Sequence, residues 1–132
     1  MSKKPKTPKE NNLILKRNTD QEIIIDDRMI LKVFRIEKTK YGGSAYLIFT
    51  TIDGFPIKID DGFPIKINGG LVIPFSLGKI LTIDGEIIIQ LKYVGEHKDG
   101  TGFIQLLFNA PPDVPIWRKE IYHGPGQKKI RS

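Results

Sequence analysis

The chain has 132 residues, of which 39% are hydrophobic and 27% charged, and its formal net charge is +6. This size predicts one domain, or two very small ones, with a modest core. The absence of cysteine excludes disulfides, thiol catalysis and cysteine-ligated zinc. No apolar run approaches the roughly 20 residues of a membrane helix, and the N-terminus has no apolar core of a signal peptide, so a cytoplasmic protein without a membrane partner is expected.

The positive charge is concentrated at the two ends of the chain. Residues 1–12 contain four lysines against one glutamate, and residues 124–132 contain two lysines and one arginine. The segment between them is therefore neutral overall, so a basic site on the folded part has to be a local cluster. Both ends are predicted to be disordered tails, because they contain too few apolar residues to offset the entropy of ordering.

Short β-branched runs separated by turn residues predict an all-β protein. In the first half the predicted strands are 13–17, 22–25, 29–36 and 45–51, with an acidic turn at Asp26-Asp27 and a loop at 41–44. The motif DGFPIKI occurs at 53–59 and again at 61–67, and Asn68-Gly69-Gly70 is expected to form a turn. The layout of 13–36 returns at 71–94, followed by a loop at 96–102 and strands at 103–108 and 114–118. This repetition predicts two tandem five-stranded units, 13–70 and 71–123.

The segment 109–122, NAPPDVPIWRKEIY, combines a rigid corner with an unusual strand. Pro115 lacks an amide hydrogen, which predicts a strand at a sheet edge with unpaired backbone groups. Trp117, Arg118 and Lys119 add an aromatic ring and two cations beside that edge. This combination suits single-stranded RNA.

The same segment resembles the last strand of the carbon storage regulator family (CsrA/RsmA), whose pattern there is close to NAPxEVxVHRxEIY. The matching residues are Asn109, Ala110, Pro111, Val114, Arg118, Glu120, Ile121 and Tyr122, with Ile116 a conservative change and Trp117 in place of histidine. Residues 13–17, LILKR, resemble the family's LILTR, with Lys16 in place of threonine. The resemblance covers 13–122 and is weakest at 52–70. The family's longer C-terminal helix is not expected here, because residues 123–126 (HGPG) stop a helix within about one turn.

The resemblance implies a fold and a function. Family members form an interlocked dimer in which strand one of one subunit lies beside strand five of the other, and this junction binds RNA. A tandem chain would be that dimer fused into one monomeric, pseudo-dimeric β-sandwich or barrel. Its partner would be RNA: a GGA-type single-stranded or hairpin-loop motif in an mRNA leader, where binding blocks ribosome access, or a small regulatory RNA with GGA loops.

The two halves keep different parts of the family's site. The first keeps strand one and the second keeps strand five, whereas Pro74 and Phe75 replace threonine and arginine, and strand five of the first half reads IKIDD or IKING. One intact RNA site per chain is therefore expected. Its residues are Leu15, Lys16, Arg17, Asn109, Ala110, Pro111, Ile116, Trp117, Arg118 and Lys119.

Each predicted site residue has an expected role. The two arginines, Arg17 and Arg118, are expected to hold the RNA, with Lys16 and Lys119 as peripheral phosphate contacts. Trp117 is either a stacking platform or a half-buried packing residue. Residues 109–111 are expected to shape the corner and to offer backbone groups to a base. Leu13 and Ile14 are expected in the core, and Leu15 partly exposed at the site.

The sequence offers little for catalysis. His97 and His123 have no nucleophile or metal-ligand spacing around them, and there is no phosphate-binding loop. No enzyme, cofactor or small-molecule substrate is therefore expected. Two alternatives stay open: a protein-interaction or decoy module that has lost RNA binding, and a homodimer whose unit joins 13–17 to 80–122 around a long insertion.

Overall fold

The computed structural model describes residues 11–40, 42–60, 62 and 65–123. The chain is all-β, as predicted. Its strands are β1 (Asn11–Asn18), β2 (Glu22–Ile25), β3 (Met29–Thr39), β4 (Gly42–Ile59), β5 (Ile65–Ser76), β6 (Ile80–Ile83), β7 (Ile87–Glu96), β8 (Gly102–Ala110) and β9 (Ile116–Arg118), followed by the 3₁₀ turn η1 (Lys119–Ile121). Within the described ranges, no helix has the length and apolar character needed to cross a membrane.

The strands form two five-stranded antiparallel sheets that share the long strand β4. Sheet one has the order β1-β8-β7-β6 followed by the last part of β4, where residues 57–59 pair with β6 and residues 55–57 also pair with the start of β5. Sheet two has the order β5-β4-β3-β2-β9 and uses the first part of β4. The ladder changes register between Thr51 and Phe55, which lets one strand serve both sheets.

Each sheet combines strands from both halves of the sequence. β1 pairs with β8, with Arg17 opposite Ile104, and β9 pairs with β2, with Trp117 opposite Ile24. The end of β4 makes the equivalent exchange with β6. Both sheets are therefore completed within a single chain.

One hydrophobic core lies between the sheets. Alternate side chains of each strand enter it, as the two-residue period of a strand requires. Its largest fully buried side chains include Phe49, Phe75 and Phe108, which come from three different strands. Burying each such ring contributes about 1.5–3 kcal/mol. The core thus holds the exchanged strands in place.

The two halves repeat the same local geometry around their last strands. Ile116 pairs with Ile25 as Ile57 pairs with Ile83. The amide of Asp26 donates to the carbonyl of Pro115 at 2.7 Å, and the amide of Asp84 donates to that of Pro56 at 2.8 Å. The first DGFPIKI copy therefore takes the place in the first half that β9 takes in the second.

Several predicted boundaries differ from the structure. β1 begins at Asn11 and β4 at Gly42, so parts of the predicted tail and of the predicted 41–44 loop are strand. The turn expected at Asn68-Gly69-Gly70 is wrong: these residues lie in β5, because Gly69 and Gly70 pair with Thr51 and Thr50. β5 therefore runs through the predicted boundary between units. The remaining tail residues, 1–10 and 124–132, and Tyr41 lie outside the described residues.

Other local predictions are confirmed. The predicted 96–102 hairpin agrees with the ends of β7 and β8. Asp26 and Asp27 have φ values of 56° and 58°, so this acidic pair forms a tight left-handed turn. Aspartate tolerates that backbone region better than most residues because its short side chain can hydrogen-bond locally.

Candidate nucleic-acid interface

β1 and β9 stand at the two ends of the strand order. Among the described residues β1 pairs only with β8, and β9 only with β2. Each strand therefore presents one row of backbone donors and acceptors that no described strand uses. The edge position of β9 agrees with the prediction, but the predicted strand 114–118 is shortened to Ile116–Arg118, so Pro115 precedes the strand instead of lying in it.

Arg17 joins the end of β1 to the turn after β9. Its Nη2 donates to Oε2 of Glu120 at 2.7 Å and its Nη1 to Oε1 at 3.0 Å, a bidentate ion pair. Nη1 also donates to the carbonyl of Glu22 at 3.1 Å, and Nε to that of Lys16 at 2.9 Å. The residue is only 3% exposed. Arg17 therefore differs from the expected RNA contact: its guanidinium is engaged within the protein, where it fixes the two edges against each other.

The ion pair makes part of the stability depend on pH. The hydrogen bonds from Arg17 lower the pKa of Glu120 from 4.5 to about 2. Because the folded-state pKa is depressed, the stabilisation is fully present above about pH 4.5 and is lost as the pH falls toward 2. Glu120→Gln should destabilise the protein at pH 7 by about 1 kcal/mol, a value discounted because the carboxylate is half exposed. Urea unfolding from pH 7 to pH 3 measures this difference, which should shrink as the pH falls.

Glu86→Gln is the matched control for this prediction. Glu86 is an exposed glutamate in the turn before β7. Its substitution removes the same charge without touching the pair, so it should leave stability nearly unchanged. A Glu120→Gln effect that stays constant across this pH range would contradict the role of the pair.

Three cations remain exposed near the pair. Arg118 ends β9 opposite Ile23, and the Nζ of the following Lys119 lies 3.6 Å from Oε1 of Glu22. Lys16 is exposed on the outer face of sheet one, with its Nζ 4.3 Å from the centroid of the Phe103 ring. The structure thus brings the cationic residues of the two sequence motifs to one edge.

The apolar residues of the predicted site are placed differently from expectation. Leu15, expected to be partly exposed, is buried, and Ile14, expected in the core, is 58% exposed. The reason is the register of β1, which turns Leu13, Leu15 and Arg17 inward and Ile14 outward. Ile116 is buried in the core.

Trp117 packs instead of presenting a stacking surface. It is only 5% exposed and lies beside Ile24 on the side of sheet two away from the main core. Its indole Nε1 is buried and has no hydrogen-bond partner among the described residues. The turn after β9 returns toward β2, where the hydroxyl of Tyr122 donates to Asp27 at 3.0 Å. The pKa of Tyr122 is raised, mainly because its hydroxyl is partly removed from water and to a smaller extent because it donates this hydrogen bond to Asp27. Of the two roles considered for Trp117, the packing role agrees with this geometry.

Asn109, Ala110 and Pro111 lie at the opposite end of β1 from Arg17. Asn109 pairs with Asn12, so roughly 17 Å of strand separates it from the ion pair. Ala110 is buried, and the carbonyl of Pro111 accepts from the amide of Val114 at 3.1 Å, which makes the expected corner. The predicted residues are therefore spread over β1, the end of the interior strand β8 and β9 instead of surrounding one point.

The equivalent edge in the other half has different chemistry. Phe75 pairs with Ala45 as Arg17 pairs with Ile104, and it is completely buried. Ile59 and Asp60 stand where Arg118 and Lys119 stand in the second half, as the pairing with β6 shows.

A carboxylate occupies that second edge. Asp60 accepts a hydrogen bond from the amide of Ile80 at 2.9 Å, and its Oδ2 lies 3.2 Å from Nζ of Lys79. The hydrogen bond from the Ile80 amide makes the largest contribution to the lowered pKa of Asp60. An open concavity of about 540 Å³ lies over Lys58, Asp60, Ile80 and Thr82. The second edge therefore has apolar side chains and an ion-paired carboxylate at the positions where the first edge has cations, and its own lysines, Lys58 and Lys79, lie at other positions.

Sequence reasoning left two features out of the site. Glu120, the partner of Arg17, matched the family pattern, but its acidic charge gave no reason to place it at an RNA site. The Tyr93–Phe103 pair on the outer face of sheet one depends on strand register, which the sequence alone does not reveal. No group of three potential metal ligands occurs among the residues that the structure describes.

No family model, no curated protein and no solved structure matches this chain.

Proposed function

We propose that the chain is a CsrA-like RNA-binding regulator, built as two fused and interlocked halves with one RNA site. The proposed target is a GGA-type single-stranded or loop motif in an mRNA leader. Binding there would block ribosome access, in line with the sequence resemblance.

The observation that carries this proposal is the chemical difference between two equivalent edges. Around the Arg17–Glu120 pair, β1 carries Lys16, β9 carries Arg118, and the turn η1 after β9 carries Lys119. The equivalent edge carries Pro74, Ile59 and Asp60 at these positions. At the second edge these positions are apolar or hold the ion-paired Asp60, so phosphate is attracted more strongly by the first set, and we expect one site per chain.

The proposed mechanism divides the work between backbone and side chains. Unstacked bases would hydrogen-bond to the unpaired backbone groups of β1 and β9, which supply specificity. Arg118 would hold a phosphate through charge-assisted hydrogen bonds. Arg17 would position the edges through Glu120 without touching the RNA. Fusion of the halves keeps both edges together at high effective concentration.

The strand exchange also supports the fused architecture. The first strand of the first half pairs in the sheet of the second half, and β9 does the reverse. Each chain supplies both partners of these exchanges, so we propose a monomer that acts as a pseudo-dimer. A homodimer with a long insertion would need a second chain for the same pairs.

A filter-binding titration tests the proposed function. A GGA hairpin should bind more tightly than the same hairpin with a scrambled loop. The ratio should be about tenfold or more, the loss expected when a base-edge contact of about 1–3 kcal/mol is missing. Equal affinity for both loops would overturn the proposal.

The second candidate is a protein-interaction or decoy module without RNA binding. The observations that favour it are the full engagement of Arg17 and the burial of Trp117, which remove two of the expected RNA contacts. The same titration separates the two candidates. A decoy module would bind neither hairpin, even though the protein in the titration is folded.

A further inference from the structure

The outer face of sheet one carries an exposed aromatic platform next to the β1 edge. Tyr93 is 49% exposed, and its ring centroid lies 5.7 Å from that of Phe103, at an interplanar angle of 47°. The ring of His97 lies 4.8 Å from Phe103 on the same face. Lys16 covers Phe103 at 4.3 Å, a distance typical of a cation–π contact.

The backbone under this platform is adapted to it. A β-carbon added to the buried Gly95 would lie 2.6 Å from Cζ of Phe103 and 2.7 Å from Cε2 of Tyr93. Both rings therefore rest directly on the backbone of β7 at Gly95. Any other residue type at this position would displace them. The nearby hairpin is tied to β1 by a 2.8 Å hydrogen bond between Nε2 of His97 and Oδ1 of Asn18. The platform is thus held in a fixed position relative to the edge.

The pairing of the strands places the platform in a row of side chains that begins at the β1 edge and crosses β8 to β7. Lys16 on β1 is opposite Gln105 on β8, and Gln105 is opposite Tyr93 on β7. A bulge between Leu91 and Tyr93 leaves both Lys92 and Tyr93 exposed. The row therefore offers a cation, an amide and an aromatic ring in succession, with a second cation beside the ring.

We propose that this row, Lys16–Gln105–Tyr93, binds nucleotides that flank the recognised RNA motif, with one base stacked on Tyr93. The inference rests on the proposed function, because it extends the RNA path from the β1–β9 edge across two neighbouring strands. That distance is about 10 Å, or about three nucleotides at a stacked rise. Single-stranded RNA fits the row because stacking on an aromatic ring and phosphate binding by lysine are the two contacts it uses most.

The equivalent row of sheet two places its residues differently and has proline at its edge position. Pro74 and Tyr46 stand in the places of Lys16 and Gln105, and Arg35 in the place of Tyr93. The exposed aromatic residue there is Phe34, which has the same 49% exposure as Tyr93 but lies on sheet two, at the bulge of β3. Phe34→Ala is therefore a matched control for Tyr93→Ala.

The test compares two RNAs with four proteins by fluorescence anisotropy. One RNA is a short single strand centred on GGA, and the other adds three unpaired nucleotides at each end. In the wild type, in Tyr93→Phe and in Phe34→Ala, the extension should raise affinity about tenfold, the usual scale of one base–aromatic stack. In Tyr93→Ala this gain should disappear while binding of the short RNA is unchanged. Both substituted residues are half exposed, so thermal unfolding of the variants should match the wild type.

An abasic scan of the added nucleotides identifies stacking as the cause. At one of the added nucleotides, removal of the base should weaken binding to the wild type as much as Tyr93→Ala does. Removal of the same base should not weaken binding to the Tyr93→Ala variant any further. The inference would be overturned if the wild type bound the extended RNA no more tightly than the short RNA. It would also be overturned if Tyr93→Ala lost the same affinity for both RNAs. A wild type that fails to bind even the short RNA would overturn the proposed function, and the inference with it.

Discussion

Arg118→Ala is expected to weaken binding of a GGA hairpin by about 1.5 to 3 kcal/mol, or roughly 10- to 150-fold. Arg118 is exposed at the end of an edge strand, so its guanidinium is available for charge-assisted bonds to a phosphate. Because the side chain lies outside the core, the free energy of unfolding should change little. Calorimetric titration of the hairpin into the variant measures the effect.

Lys58→Ala is the matched control for Arg118→Ala. Lys58 is exposed on the end of β4, the strand that takes the place of β9 in the first half. The variant loses the same charge at the second edge, outside the proposed site, so its affinity should stay close to that of the wild type. An Arg118→Ala variant that binds normally, or a Lys58→Ala variant that loses as much, would contradict the placement of the site.

Phe75→Ala should cause the largest loss of stability, about 3–5 kcal/mol of unfolding free energy. Phe75 is completely buried and takes the position in its half that Arg17 takes in the other. The Phe75 ring fills the space that the Arg17–Glu120 ion pair occupies at the first edge. Its removal therefore leaves a cavity in the core that no other side chain fills. Denaturant unfolding at pH 7 measures the loss.

The milder variant Phe75→Leu separates stability from binding. It retains most of the apolar volume, so the protein should remain folded with a smaller loss. Its affinity for the GGA hairpin should equal that of the wild type, since Phe75 lies at the edge without the proposed site. A Phe75→Leu protein that is folded but has lost RNA binding would show that both edges take part.

Periodicity and turn chemistry were enough to predict the class of fold and most strands. β2 agrees with its predicted bounds, 22–25, because Asn, Asp and Gln residues before it and an Asp-Asp turn after it delimit a short β-branched run. Asn68–Gly70 was predicted wrongly because pairing with Thr50 and Thr51 outweighs the local preference of Asn-Gly-Gly for a turn.

The candidate site was predictable in its residues more than in their roles. Two motifs far apart in sequence were expected to meet, and Arg17 of one contacts Glu120 of the other. Which residues face outward depends on register, and this reversed the expectations for Ile14 and Leu15. The burial of Trp117 likewise depends on tertiary packing that a single strand pattern does not encode.

Binding stoichiometry tests the central claim most directly. In a calorimetric titration, one GGA hairpin should bind per chain, because only the first edge carries Lys16, Arg118 and Lys119 where the second has Pro74, Ile59 and Asp60. Sedimentation of the same sample should give the mass of one chain with one RNA. Two equivalent hairpins per chain, or one hairpin shared by two chains, would contradict the account.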